Sequence, residues 1–123
     1  MAINMAESMF ARVGGTPAIT ALIDLLYSKI TVNASTSPFF ENKDLARVKA
    51  KQVEFFSNAL GSGTAYTGRG MVDIHTGLGI NDDEFNIVAG YLSDSLKELN
   101  VPQDIYDAVM GLAGSLRGQV VGL

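Results

Sequence analysis

The chain has 123 residues, of which 47% are hydrophobic and 18% are charged, and this composition predicts one compact domain over residues 1–123 rather than a disordered segment. The formal net charge of −4 and the scattered basic residues argue against a nucleic-acid partner. The absence of cysteine excludes disulfides, thiolate metal sites and thioether-linked tetrapyrroles.

The sequence shows no targeting or membrane-spanning pattern. No apolar stretch is long enough to cross a bilayer, and Met1 to Met9 contains no basic run ahead of an apolar segment. Ala2 rather than glycine follows the first residue, which argues against N-myristoylation. The expectation is a cytoplasmic protein without a membrane span.

Apolar residues recur at helical spacing, and glycines, prolines and capping residues separate the helices. A short first helix over residues 8–13 ends at Gly14-Gly15. Thr16-Pro17 is typical of an N-cap followed by proline at the first helical position. The second helix carries a stripe formed by Ile19, Leu22, Ile23, Leu26 and Ile30. Tyr27 is expected to point inward or to the edge of that stripe.

The next segment combines a loop with a third helix. Residues 31–38 predict a loop that leads to Phe39-Phe40 at the start of a new element. The stripe of the third helix consists of Leu45, Val48, Gln52, Phe55, Phe56 and Leu60. An amide buried in this face without a partner costs roughly 1 to 3 kcal/mol. We therefore expect Gln52 to bond to Tyr27, to a backbone carbonyl or to a small ligand.

The middle of the chain is rich in glycine. Residues 61–70 contain four glycines and predict a long flexible loop, which is unusual in a compact domain unless it has a function. Gly61-Ser62-Gly63 does not follow a strand, so a helix stop is favoured over a phosphate site. The loop leads directly into a short helical piece that ends with His75, the single histidine of the chain.

Two longer helices follow. Asn81 and Glu84 have the spacing of a capping box. The helix that they open carries Phe85, Val88, Leu92, Leu96 and Leu99. Pro102 opens the last helix, with Ile105, Val109, Leu112, Leu116 and Val120 on one face. The short joint between these helices predicts antiparallel packing in an all-α fold.

The sequence lacks the common enzyme motifs, including a P-loop, a dinucleotide-binding turn, a His-Glu-x-x-His zinc motif and a nucleophile elbow. A single histidine excludes a catalytic triad and a multi-histidine zinc site, but one imidazole is sufficient to ligate haem iron from one side. The alternative for His75 is a partly buried, hydrogen-bonded side chain. The phenylalanines, considered alone, are typical of a core.

Five short motifs and a glycine-rich loop occur in an order that is specific as a set. They are Gly14-Gly15-Thr16, Leu26-Tyr27-Ser28, Phe39-Phe40, the run from Leu45 to Phe56, the glycine-rich loop, and Met71-Val72-Asp73-Ile74-His75. This order resembles the group I truncated haemoglobins over nearly the whole chain from Met9. The resemblance implies a globin-like fold, a truncated two-over-two helical sandwich, with haem b as the cofactor.

The resemblance also implies roles for individual residues. The histidine at the position of His75 binds the iron, Phe40 stacks against the porphyrin, and Tyr27 and Gln52 face the bound gas. Val48 takes the distal position. Lys51 corresponds to a residue that often reaches a haem propionate, and Phe56 to one that lines an apolar tunnel to the iron. Further contacts with the cofactor are expected from Phe55, Met71, Phe85 and Val88.

These roles imply that the protein binds O2, NO and CO at a pentacoordinate iron, unless Tyr27 or a lysine occupies the sixth position. Two donors to the gas contribute about 1.5 to 3 kcal/mol each, and such tight retention suits the dioxygenation of nitric oxide to nitrate. That activity needs an external electron donor or reductase. The alternative is oxygen storage, transport or sensing without catalysis. Peroxide or nitrite chemistry at the haem is a third alternative, which no second distal acid or base supports.

Overall fold

The structure, a computed structural model, describes residues 8–122, so the sequence predictions for residues 1–7 and 123 lie outside the described residues. Within residues 8–122 every regular element is helical, as the sequence predicted. In chain order the elements are α1 (Met9–Val13), α2 (Gly15–Ile30), a 3₁₀ helix (Ser37–Phe40), α3 (Leu45–Ala59), α4 (Met71–His75), α5 (Asp82–Glu98), α6 (Gln103–Ser115) and a second 3₁₀ helix (Arg117–Gln119). No helix in this part of the chain combines the length and apolarity that crossing a membrane requires.

The junction between α1 and α2 differs from the prediction. Gly14 ends α1 with a φ of 118° and also serves as the N-cap of α2, so the predicted cap at Thr16 is wrong. Gly15 has a φ of 72°, and two successive residues at positive φ turn the chain before Thr16 is reached. Pro17 then falls in the first turn, where its missing N–H leaves no helical hydrogen bond unmade.

The core lies between two pairs of helices, α2 with α3 and α5 with α6. α2 packs against α3 and α5, and α5 packs against α6. The short connection between α5 and α6 makes these two helices antiparallel. The predicted stripe of α2 is fully buried. It contacts apolar side chains from α3 and its C-cap residue, from α5 and from α6. These contacting side chains are Phe56, Leu60, Leu92, Leu96, Ile105 and Val109.

Two other predicted boundaries move. Phe39 and Phe40 close the first 3₁₀ helix, which Pro38 helps to begin, rather than opening a new element. α6 ends at Ser115, so the predicted face of this helix does not extend to Val120. Val120 follows the second 3₁₀ helix and is buried there. α6 carries glycines near its end, which lower helix propensity there.

The start of α5 follows the prediction in detail. The Asn81 side chain accepts a hydrogen bond from the Glu84 N–H at 2.8 Å, and the Glu84 side chain accepts one from the Asn81 N–H at 2.9 Å. This reciprocal capping box satisfies two N–H groups that the helix itself leaves unpaired. It fixes the first turns of α5, which carry Phe85 and Val88.

Candidate functional site

A cavity of about 640 Å³ is bounded by α2, the first 3₁₀ helix, α3, residues 66–69, α4, α5 and the residues on either side of the second 3₁₀ helix. Its volume lies within the range of about 300–1,000 Å³ that is usual for cofactor sites. All eleven site residues predicted from the sequence line this one cavity. They are Tyr27, Phe40, Val48, Lys51, Gln52, Phe55, Phe56, Met71, His75, Phe85 and Val88.

His75 is the last residue of α4 and is half-buried at the cavity wall. Its Nδ1 atom lies 2.7 Å from the carbonyl oxygen of Met71, one turn earlier in the same helix. A carbonyl oxygen can only accept, so Nδ1 carries the hydrogen. In the neutral ring the lone pair is then on Nε2, which is the form in which imidazole ligates a metal.

Tyr27 lies on α2 and is 5% exposed. Its ring packs edge to face against Phe40, with 5.4 Å between the ring centres. Burial raises the pKa of the Tyr27 phenol to about 12, although a hydrogen bond with the side chain of Gln52 lowers it in part. The phenol, which is uncharged at neutral pH even at its ordinary pKa of 10.0, keeps its hydrogen to still higher pH and can donate it.

Gln52 of α3 has Tyr27 as its partner, which is one of the partners that the sequence left open. The amide lowers the pKa of the phenol, which means that it stabilises the phenolate. The two side chains therefore form one polar pair on the wall of the cavity.

Aromatic rings make up much of the apolar wall. Phe55 packs edge to face against Phe56 at 5.7 Å and against Tyr66 at 5.6 Å. On the side of α5, the guanidinium of Arg117 lies 4.5 Å from the centre of the Phe85 ring. The second 3₁₀ helix is thereby held against the start of α5. Tyr66 was missed by the sequence analysis, although a lone aromatic residue in a glycine-rich loop is a signal that could have found it.

The cavity is also lined by four basic residues. They are Lys43, Arg47, Lys51 and Arg69. The Lys51 ammonium donates to the Thr67 hydroxyl at 2.7 Å and to Glu54 at 3.3 Å. Arg47 was missed, although it precedes Lys51 by four residues and therefore lies on the same face of α3. Among the residues that the structure describes, only two carboxylates, those of Asp44 and Glu84, line the cavity beside them, so the lining carries an excess of positive charge that suits an anionic group.

This combination fits a haem group. Aliphatic and aromatic side chains surround the space that the macrocycle would fill, His75 offers one free imidazole nitrogen, and the basic residues suit the two propionates. The polar pair Tyr27 and Gln52 completes the lining at α2 and α3. Which residue performs which role follows from the resemblance and stays a prediction.

Comparisons with known proteins agree with the fold. The chain matches the model of the bacterial-like globin family over residues 8–121. It is 34% identical over 113 residues to a group 1 truncated haemoglobin of Mycolicibacterium paratuberculosis, which covers 92% of this chain and 83% of that protein. It is 32% identical over 113 residues to a group 1 truncated haemoglobin of Synechocystis, over 89% of this chain and 91% of that protein.

Solved structures give the same result. The 2/2 haemoglobin of a Synechococcus species, in the cyanomet state and with covalently attached haem, is 30% identical and has a TM-score of 0.88 over 95% of this chain and 100% of that one. The truncated haemoglobin of Tetrahymena pyriformis in its Fe(III) form is 25% identical, with a TM-score of 0.87 over the same shares. The chain belongs to the bacterial-like globin family, as a haem-binding and gas-binding group I truncated haemoglobin.

Proposed function

We propose that this truncated haemoglobin is a nitric oxide dioxygenase, which converts nitric oxide and O2 to nitrate. The observation that carries the proposal is the pair formed by Tyr27 and Gln52 on the wall of the same cavity as His75. Haem iron, when held by His75 Nε2, supplies the redox chemistry. The protein residues retain O2, admit nitric oxide and exclude water.

Haem b is the form of the cofactor that we propose. The sequence contains no cysteine, so a thioether link to the macrocycle cannot form. The one histidine is assigned to the iron. Apolar packing, the imidazole and the basic residues are then the contacts that hold the cofactor.

Retention of O2 depends on Tyr27 in this proposal. Because its phenol is protonated at neutral pH and its pKa is raised to about 12, Tyr27 can donate to a ligand that has gained negative charge. Such a hydrogen bond contributes about 1.5 to 3 kcal/mol. Slow release favours a reaction in which O2 must wait for a second substrate, and it is a disadvantage for a carrier.

Access for nitric oxide depends on the apolar wall. Val48, one turn before Gln52 on α3, presents no hydrogen-bonding side-chain atom, and Phe55 and Phe56 continue the same wall. A small uncharged gas can enter such a space while water is disfavoured. Conversion of nitric oxide and O2 to the nitrate anion consumes one electron, so a separate electron donor that restores the ferrous state belongs to the proposal. The cytoplasmic location stays a prediction from the sequence.

Stopped-flow mixing of the oxygen-saturated ferrous protein with nitric oxide tests the proposal. We expect one nitrate per protein within the mixing experiment and, separately, slow release of O2. Tyr27→Phe should raise the rate of O2 release about tenfold or more, because a charge-assisted hydrogen bond is lost.

Tyr106→Phe is the matched control. The Tyr106 hydroxyl bonds to Ser93 at 2.6 Å, between α6 and α5, and Tyr106 does not line the cavity. Its removal should leave O2 release unchanged. Fast O2 release in the wild-type protein, or nitric oxide that binds without forming nitrate, would favour storage or transport and contradict the dioxygenase.

A further inference from the structure

The glycine-rich loop is tied to α3 through one carboxylate. Glu54 Oε1 accepts hydrogen bonds from the Thr67 N–H at 2.9 Å and from the Thr67 hydroxyl at 2.6 Å. The same hydroxyl accepts a bond from Lys51 Nζ at 2.7 Å. Lys51, Glu54 and Thr67 thus form one closed network between a helix and a loop 13 residues further along the chain.

The hydrogen bonds of this network stabilise the charged form of Glu54. Its two hydrogen bonds with Thr67 hold the pKa of the carboxyl at about 2, and Lys51 adds to the effect. The carboxylate is therefore charged at every pH at which the protein would work.

On the side that faces the cavity, contacts of Tyr66 hold the loop in a compact conformation. The Tyr66 hydroxyl donates to the Arg69 carbonyl oxygen at 2.7 Å, while the ring of Tyr66 packs against Phe55. A Cβ at Gly68 would overlap the Tyr66 hydroxyl and ring, so only glycine permits this arrangement. At the other end of the loop, the Asn58 side chain donates to the Thr64 carbonyl oxygen at 2.8 Å.

Residues 66–69 also line the cavity, together with Lys51. Opening of this loop would therefore expose the space that holds haem. Four glycines in residues 61–70 give the untied loop high conformational entropy. The closed conformation consequently depends on contacts such as those of Glu54.

We propose that Glu54 is a positioning residue of the haem site, which holds Thr67 and Lys51 so that residues 64–69 cover the cavity and slow the loss of haem. The inference concerns retention of the cofactor and stands apart from the dioxygenase activity. An ordinary surface ion pair would contribute little. The difference here is that one carboxylate oxygen accepts from both the backbone and the side chain of the same loop residue.

Transfer of ferric haem to excess apomyoglobin, followed by the change in the Soret band, tests the proposal. Glu54→Ala and Thr67→Val should each speed transfer about fivefold, since each removes hydrogen bonds to a charged group at a partly exposed site. The double variant should be no faster than the faster single variant, because both changes break the same network. Glu54→Gln retains an acceptor oxygen and should restore most of the wild-type rate.

Asp24→Asn is the matched control. Asp24 on α2 pairs with Lys49 on α3 at 2.7 Å, and neither residue lines the cavity. This variant removes an ion pair of α3 without touching the loop, so its transfer rate should equal that of the wild type. Circular dichroism establishes that each variant is folded, and Thr67→Val tests the same link if Glu54→Ala does not fold.

Limited trypsin digestion gives a second readout. Glu54→Ala should be cleaved faster after Arg69, in the loop, while cleavage after Lys97 of α5 stays at the wild-type rate. Equal haem transfer in Glu54→Ala and Asp24→Asn would overturn the proposal. Fully additive effects of Glu54→Ala and Thr67→Val, or faster cleavage at both sites, would do so as well. Since no measurement involves nitric oxide, failure of the dioxygenase proposal leaves this test intact.

Discussion

Tyr27 shows how the position of a residue in the fold determines its chemistry. It belongs to the inner face of α2 and is almost fully buried, and burial penalises the phenolate rather than the phenol. The contact with Phe40 limits the motion of the ring. Burial thus extends towards pH 12 the range over which Tyr27 keeps the hydrogen that it can donate.

The pH dependence of stability tests this conclusion. The pKa of Tyr27 is raised from 10.0 to about 12 in the folded protein, so the folded state keeps a proton that the unfolded chain releases. Stability must then fall as the pH rises from 10 towards 12. Between pH 9 and 11 the free energy of unfolding of the wild type should fall by about 1 kcal/mol more than that of Tyr27→Phe.

Urea unfolding of the carbon monoxide form at these two pH values measures the difference. Carbon monoxide is chosen because it does not titrate in this range. Equal losses of stability in the wild type and in Tyr27→Phe would mean that the phenol of Tyr27 is not buried as described.

At the scale of whole elements, the sequence predicts best where a local signal and the tertiary structure agree. α2 was predicted with its buried stripe because five apolar residues repeat at helical spacing. The capping box fixed the start of α5 for the same reason, since Asn81 and Glu84 act within one turn. For the candidate site, eleven residues were predicted with the help of the resemblance, and all eleven line the cavity.

Failures occurred where two local signals compete or where partners are distant in sequence. Thr16-Pro17 has the pattern of a helix start, but the positive φ angles of Gly14 and Gly15 place the start earlier. The bonds of Glu54 to Thr67 join residues 13 positions apart, across a loop of irregular conformation. No periodicity in the sequence reports such a contact, so only the folded chain reveals it.

The capping box gives a prediction at this scale. Asn81→Ala removes the acceptor for the Glu84 N–H and should lower the free energy of unfolding by about 1 kcal/mol. Asn81→Ser keeps an acceptor oxygen at the same position and should stay within a few tenths of a kcal/mol of the wild type. Urea unfolding followed by circular dichroism separates the two variants, and equal losses would contradict a capping role.

The whole molecule is arranged around the cavity as much as around its solid core. Phe40, Val48, Phe55 and Val88 each pack partly against buried residues while another part of each side chain faces the cavity. Apolar surface of this kind stabilises the fold only when it is covered. A bound haem covers it and thereby completes the core between the two helix pairs.

Haem removal should therefore destabilise the entire fold rather than one element. A ligand that binds only the folded state stabilises it by about 4 kcal/mol when present at 1,000 times its dissociation constant. For a chain of this size, that corresponds to a decrease in melting temperature of at least about 10 °C in the apoprotein. Thermal unfolding followed by circular dichroism, with and without haem, measures the decrease.

The variant His75→Gly tests how much of this stabilisation depends on the proposed bond between His75 and the iron. Even with haem present, the variant should melt close to the apoprotein, because the imidazole that we propose as the iron ligand is missing. Free imidazole, which can enter the space left by the side chain, should restore much of the melting temperature and the Soret band. Thr76→Ala, at an exposed position outside the cavity lining, should melt within a few degrees of the wild type. If His75→Gly instead kept the melting temperature and spectrum of the wild type, another residue would have to hold the iron, and the roles assigned around the cavity would need to be reassigned.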